Sequence, residues 1–310
     1  MVGFSRVLVT GAAGFIGSRV SNRLLEAGLE VIGLDDLSNS NEETLSPGVK
    51  LLKGSVTDPS VTREAIAGVD VVLHFAARIG TRESAAEFLR DGDTNIMGTL
   101  NLLSLSRDAG VKRFIYASTA AVYGEVCRGI RISEDHELRP LSPYGISKLA
   151  AEMYVSNICA SIGVDYLILR YFNVYGPGQR HGPYAGVITL FAGLVMNNKP
   201  PVLFGDGEQI RDFIHVDDVV RAIILGMESS VRNEVLNIGT GIPCSVNSLA
   251  TLILKSRASA LEPVHTPAVG QEIAYSLAET GRAEKLLGFL AQKDLYEGIC
   301  ETVNWIESQS

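Results

Sequence analysis

Gly11-Ala12-Ala13-Gly14-Phe15-Ile16-Gly17 joins a β-branched run, Arg6-Val7-Leu8-Val9-Thr10, to a stretch from Phe15 to Ala27 with apolar Ile16, Val20, Leu24 and Leu25 at helical spacing. The pattern predicts strand, tight turn and helix. Glu30-Val31-Ile32-Gly33-Leu34 supplies a second strand, so residues 6 to 35 have the length of a βαβ unit. Glycines 11, 14 and 17 fall where a side chain would block the turn, the approach of a pyrophosphate or helix–strand packing. The helix start offers free N–H groups and a positive dipole end. A dinucleotide is therefore expected on Gly11, Gly14, Phe15, Ile16 and Gly17. Asp35, ending the second strand, is placed to bond ribose hydroxyls, and with Asp36 it would repel the 2′-phosphate of NADP. No basic residue stands nearby, which favours NAD.

Outward from this unit, strand-like runs recur at Val49 to Leu52, Val69 to Phe75, Arg113 to Ser118 and Tyr166 to Tyr171, with helical stretches between. This alternation predicts an α/β fold, a doubly wound parallel (Rossmann) sheet. After Asn173 the pattern changes to a Gly/Pro-rich stretch (176–186), a helix near 188–197 and short strands. A smaller α+β lobe is expected there. The predicted organisation is 1–173 for NAD binding and 174–310 for substrate. Phe213 to His215 and Val235 to Ile238 could each return to the main sheet, so parts of 213–240 are expected to rejoin the first domain.

Hydrophobic residues make up 46% of the 310 and charged residues 20%, enough apolar content for a sizeable core. The net charge of −8 argues against a nucleic-acid partner. Cys127, Cys159, Cys244 and Cys300 lie apart without CxxC or Cys/His spacing, so reduced structural thiols are expected, with no metal site. The histidines likewise read as structural: His74 at the end of a strand, His215 in a turn beside Asp217 and Asp218, and His136, His181 and His265 on loops. The chain lacks a signal-peptide pattern and any apolar run of membrane-spanning length. A cytoplasmic protein is expected.

Tyr144 and Lys148 are four apart in a segment that reads as a helix from about Pro143, so they share a face. A tyrosine of pKa ~10 becomes a usable base when a nearby ammonium and an oxidised nicotinamide lower it. It could then take a proton from a sugar hydroxyl as hydride leaves carbon. Ser118-Thr119, at the end of a predicted strand, supplies the hydroxyl partner.

Together these features resemble the NAD-dependent sugar-nucleotide epimerase/dehydratase family of the extended short-chain dehydrogenases/reductases, especially its UDP-glucose 4-epimerising branch. The resemblance runs over nearly the whole chain. It rests on Thr10 to Gly17, His74-Phe75-Ala76-Ala77, Asn95 with Gly98-Thr99, Ser118 to Gly124, Tyr144 with Lys148, Arg170 to Pro177, and Arg211-Asp212-Phe213-Ile214-His215-Val216-Asp217-Asp218. It implies Tyr144 as catalytic base, Lys148 as its pKa-lowering neighbour and ribose ligand, and Thr119 on the reacting sugar oxygen. Ser55, Val56, Phe75, Ala76, Ala77, Asn95, Ala117 and Tyr171 would line the cofactor. Ser118, Asn173 and Arg211 would contact substrate, the last two at the diphosphate, with Val187, Val202 and Phe204 near the nucleobase. A guanidinium suits phosphate because it can bond two oxygens at once.

Dehydrating relatives carry an Asp-Glu pair after the threonine, where this chain has Ala120 and Ala121, and decarboxylating relatives usually place an acid at the second position. Methyl groups cannot move protons, so the resemblance implies 4-epimerisation of a nucleotide sugar, UDP-glucose/UDP-galactose, by hydride transfer to NAD, rotation of the 4-keto sugar and hydride return. Two departures stand out. Ser55 replaces the acid expected at the adenine amino group, and Val269 replaces a phosphate-binding arginine, with Glu272 at the place of a ribose-binding acid and Arg180 or His181 as other sources of positive charge. Ser276, small where the family limits the sugar pocket, would admit N-acetylated sugars. Family members usually pair as homodimers through helices around 88–108 and 144–160. The competing readings are a nucleotide-sugar dehydratase or reductase, and a non-catalytic NAD-binding sensor or scaffold.

Overall fold

The computed structural model describes residues 3–79, 84–180, 182, 185–268 and 273–309. In chain order it begins β1 (Arg6–Thr10), α1 (Phe15–Glu26), β2 (Glu30–Asp35), β3 (Lys50–Lys53), α2 (Pro59–Ile66), β4 (Val71–His74), α3 (Ser84–Asp91), a π-helical turn (Gly92–Met97), α4 (Gly98–Ala109), β5 (Arg113–Thr119), α5 (Pro143–Ile162) and β6 (Asp165–Tyr171). There follow β7 (Asn173–Tyr175), α6 (Val187–Met196), β8 (Val202–Phe204), β9 (Ile210–His215), α7 (Val216–Glu228), β10 (Glu234–Ile238), β11 (Pro243–Ser245), α8 (Val246–Ser256), β12 (Val264–Thr266), α9 (Gly281–Leu287) and α10 (Leu295–Ser308).

Seven strands form one sheet in the order β10-β6-β5-β4-β1-β2-β3, with β1 pairing in parallel to both β2 and β4. The order reverses direction at β1, and in doubly wound sheets the ligand crevice opens beyond the strand ends at such a point. The chain forms two compact units: Met1–Val122 with Pro140–Arg170 and Val220–Leu236, and Tyr123–Arg139 with Tyr171–Val219 and Asn237–Ser310.

In the first unit the strands read as near-continuous apolar runs because both faces are covered, and Leu8, Ile32, Val72, Phe114 and Ile168 are buried together against the helices. Each such side chain contributes roughly 1.5–3 kcal/mol on leaving water. The helix starts carry their own stop signals. Asp58 accepts from the N–H groups of Ser60 and Val61 ahead of α2, and Ser142 accepts from Gly145 N–H at 3.1 Å ahead of α5, each with proline at the first helical position. Buried Arg113 donates to the carbonyls of Gly226, Met227 and Ser229 at 2.8–3.1 Å, neutralising the C-terminal end of α7.

In the second unit β9 pairs in parallel with β7 and antiparallel with β11, and β8 pairs with β12. Tyr175, Ile188, Phe191, Leu203, Phe213, Leu249 and Ile299 make its core. The fully buried Asp212 carboxylate accepts from Thr240 N–H, Thr240 Oγ1 and Gly241 N–H at 2.7–2.8 Å and from Ala278 N–H at 3.2 Å. It stitches β9, the turn after β10 and the 276–279 segment together. Of the two strands expected to return to the main sheet, Glu234–Ile238 is in it, whereas Ile210–His215 belongs to the small sheet. His215 ends strand β9 and His265 lies in β12, where a turn and a loop were expected. Among the described residues, no helix is long and apolar enough to cross a membrane.

Candidate active site

The glycine turn is shaped by close backbone packing. Gly11 has φ +66°, and a Cβ there would stand 2.8 Å from Ala76 N; a Cβ on Gly17 would stand 2.0 Å from Gly11 O. The turn therefore tolerates only hydrogen at these two places. Gly14 precedes α1 in extended conformation, no side chain caps it, and the first turn carries no acidic residue. The amides at the start of α1 and its positive end are thus left to an anion.

Asp35 ties this turn to β2. Its Oδ2 accepts from Ala13 N–H at 2.9 Å, and its Oδ1 from Leu37 N–H at 2.9 Å and Ser40 Oγ at 2.7 Å. A carboxylate offers about four acceptor positions, so one remains for a ribose hydroxyl. Asp36 is exposed and turns back onto Ser38 N–H and Oγ, while Ser55 Oγ lies 2.8 Å from Thr57 Oγ1. Val56 and Ala117 are buried, and Phe75, Ala76 and Ala77 are half-buried beyond β4. Asn95, in the π-helical turn, accepts from Arg78 N–H at 2.8 Å and donates to Arg78 O at 3.1 Å and Ser147 Oγ at 2.9 Å. Its carboxamide clamps the segment after β4 to α5. His74 stands between Thr10 Oγ1 at 2.6 Å and Thr99 Oγ1 at 2.9 Å, and burial, with repulsion from Lys148, pushes its pKa down to about 3. It is a neutral bridge, not an acid–base group.

Helix α5 places Tyr144, Lys148 and Glu152 at successive i, i+4 positions on one stripe. Thr119, at the end of β5, stands close enough for its side chain to favour the ionised Tyr144 phenol, and Thr119 Oγ1 accepts from Ala121 N–H at 3.1 Å. Lys148 is buried, with Nζ 4.2 Å from the centroid of the Tyr116 ring. Behind it, Glu152 accepts from Arg170 Nε at 3.0 and 3.2 Å and Nη2 at 2.7 Å, and from Ser118 Oγ. Ser118, assigned to substrate by the resemblance, thus spends its hydroxyl inside the protein.

The protein's own groups do not lower the Tyr144 phenol. Burial pushes it up to about 12, the Thr119 hydrogen bond opposes the rise and the Asp91 carboxylate adds to it. Burial also brings Lys148 down to about 7, against the pull of Glu152, so its ammonium is only partly charged near neutral pH. Desolvation is thus the largest effect on this phenol, and it opposes the lowering expected from the lysine ammonium and oxidised nicotinamide together.

In the second unit, Tyr171 is buried and its hydroxyl has no hydrogen-bond partner among the described residues. Arg211, half-buried in β9, donates to Ile210 O at 2.9 Å, and Asn173 donates to Asp212 O at 3.2 Å. Ser276 is buried in the segment bridging to Ile210, its N–H bonding Ile210 O at 3.1 Å. Val187 opens α6, Val202 and Phe204 bound β8, and all three are half-buried. Arg180 is exposed. Val269, Glu272 and His181 lie outside the described residues. The sequence reading missed Glu152, Tyr116 and Asp91; only Glu152 carried a signal, four residues beyond Lys148.

The uncapped helix start and the glycine cradle suit a dinucleotide, and the match to known proteins agrees. Residues 7–239 match the NAD dependent epimerase/dehydratase family, and the chain belongs to that family. It is a nucleotide-sugar epimerase of this class, with NAD as its cofactor. It is 38% identical to the UDP-glucose 4-epimerase of Thermotoga maritima, solved with UDP-glucose, over 98% of this chain and 99% of that one, with a TM-score of 0.94. It is 33% identical to the UDP-N-acetylglucosamine 4-epimerase of Methanobrevibacter ruminantium, solved with UDP-N-acetylmuramic acid, over 100% of both chains, also with a TM-score of 0.94. A UDP-glucose 4-epimerase of Mycolicibacterium smegmatis is 35% identical over 98% of this chain and 99% of its own length.

Proposed function

We propose that the chain inverts C4 of a UDP-sugar, interconverting UDP-glucose and UDP-galactose. The observation that carries this reading is Tyr144 one helical turn from buried Lys148 on α5, with Thr119 at the end of β5 followed by a 3-10 turn whose side chains at 120 and 121 are methyl groups. One proton acceptor is present and the second acid–base pair of a dehydratase is not. Bound NAD would supply the hydride acceptor and donor that inversion at C4 requires. Tyr144 accepts the proton of the C4 hydroxyl and gives it back, Thr119 holds the same oxygen, and Lys148 favours the phenolate. Asp35 and the start of α1 would hold the cofactor's ribose and phosphates. Arg211 and Asn173 are assigned to the diphosphate of the substrate, with Val187, Val202 and Phe204 against the base.

The test is to incubate the purified protein, without added NAD, with UDP-glucose, UDP-galactose and their N-acetylated forms and to follow C4 epimers by NMR. Formation of UDP-galactose from UDP-glucose is expected. A 4-keto product that absorbs in alkali, or a requirement for stoichiometric reduced cofactor, would replace this reading with the dehydratase or reductase. Ser276 supports a second substrate pair: by the resemblance it falls where a bulkier residue would limit the sugar pocket, so turnover of UDP-N-acetylglucosamine is expected too. No N-acetyl turnover would remove that extension alone.

We also infer a homodimer. Phe88, Leu89, Met97, Ile146 and Met153 on α3, the following turn and α5 are exposed, Leu89 at 76% and Met153 at 65%. Apolar side chains of this size grouped on neighbouring helices support pairing with a second copy. Sedimentation velocity is expected to give a dimer that Leu89→Lys with Met153→Lys converts to monomer; a monomeric parent protein would refute it.

A further inference from the structure

We propose that Tyr116 is a positioning residue, whose ring face holds the Lys148 ammonium next to Tyr144 without cancelling its charge. Lys148 Nζ lies 4.2 Å from the Tyr116 centroid, and the two residues are 3% and 1% exposed. An ammonium so removed from water loses its proton or its place unless something compensates. Glu152, one turn away, pulls the Lys148 pKa upward through its charge, but its carboxylate is bonded by Arg170 and Ser118 and does not hold the ammonium in place. The other groups around the pair do not substitute. His74, on β4, is neutral and stands 5.6 Å from the Tyr116 ring, and Asp91, on α3, acts on the phenol of Tyr144.

The ring face is the remaining partner, and its attraction for a cation grows as water is excluded. The choice of an aromatic has a chemical consequence. A carboxylate in the same place would anchor the ammonium more firmly, yet it would oppose the positive field that lets Tyr144 give up its proton. A quadrupole anchors with little opposing charge.

This inference rests on Tyr144 and Lys148 being the proton-transfer pair, but the placement can be read without turnover. Protein carrying ε-¹³C lysine is titrated by NMR, with Lys148 assigned by the loss of its signal in Lys148→Met. In the parent protein the Lys148 ε-protons are expected upfield of the other lysines, from the ring current. Tyr116→Phe should keep both this shift and the titration midpoint. Tyr116→Leu should lose the shift and lower the midpoint by about half a pH unit or more, and the alkaline limb of the kcat/KM profile should move with it. An unshifted Lys148 in the parent protein, or an unmoved midpoint in Tyr116→Leu, overturns the proposal; the parent spectrum decides even if that variant does not fold. Full activity of Lys148→Met alongside an upfield Lys148 signal would instead overturn the catalytic reading and leave the placement standing.

Discussion

Tyr144→Phe should slow conversion of UDP-glucose to UDP-galactose by about a thousandfold, within the ~10²–10⁴ attributed to a positioned acid–base group, while NAD content and thermal stability stay near those of the parent protein. The substitution removes one oxygen and keeps the ring, so α5 has no reason to shift. What disappears is the atom that must carry the proton during oxidation and return. Thr119→Val should cost less, because it removes a hydrogen bond to the reacting oxygen but leaves the acceptor. NMR progress curves measure the first effect, and chromatography of nucleotide released on denaturation measures NAD content. Retention of more than a tenth of the parent rate in Tyr144→Phe would exclude Tyr144 as the proton carrier.

Local pattern made the β1–turn–α1–β2 unit readable, because a strand period, a helix period and three glycines fall within thirty residues. The same was true of the start of α5, where Ser142 caps and Pro143 occupies the first position. Pairing partners were not readable. The runs that became β9 and β10 look alike in sequence, yet one joins the three-stranded sheet and the other the seven-stranded one. Strands β7, β8, β11 and β12 are three residues each, too short for any period, and exist only because a neighbour supplies their hydrogen bonds. In the site, the Tyr144–Lys148 spacing was visible because a helix converts spacing into direction. The partners of Asp35, Asn95 and Glu152 were not, since each depends on a group from another part of the chain. The burial that raises the Tyr144 pKa was not readable either, because desolvation is a property of packing.

Removing half of the Arg170–Glu152 pair should produce the largest loss of stability. Both side chains are about 4–5% exposed, with Nη2 2.7 Å from Oε2, and Arg170→Met would leave Glu152 as a buried charge with only Ser118 Oγ bonded to it. Breaking one side of such a pair costs roughly 3–5 kcal/mol, whereas replacing both members by apolar groups of similar volume is often neutral or stabilising. Arg170→Met with Glu152→Leu is therefore expected to recover most of the loss, less about 1 kcal/mol for the hydrogen bond Ser118 no longer makes. Urea denaturation of the two variants beside the parent reads both effects, and a loss below about 1 kcal/mol in Arg170→Met would show that the pair is not desolvated as the geometry requires. The double variant also separates two roles. With Glu152 gone, Lys148 loses the negative neighbour that raises its pKa, so a stable double variant should still work more slowly above neutral pH, where the ammonium gives up its proton. Recovery of stability without recovery of rate would mean that the buried ion pair is kept for the charge of Lys148 more than for the fold.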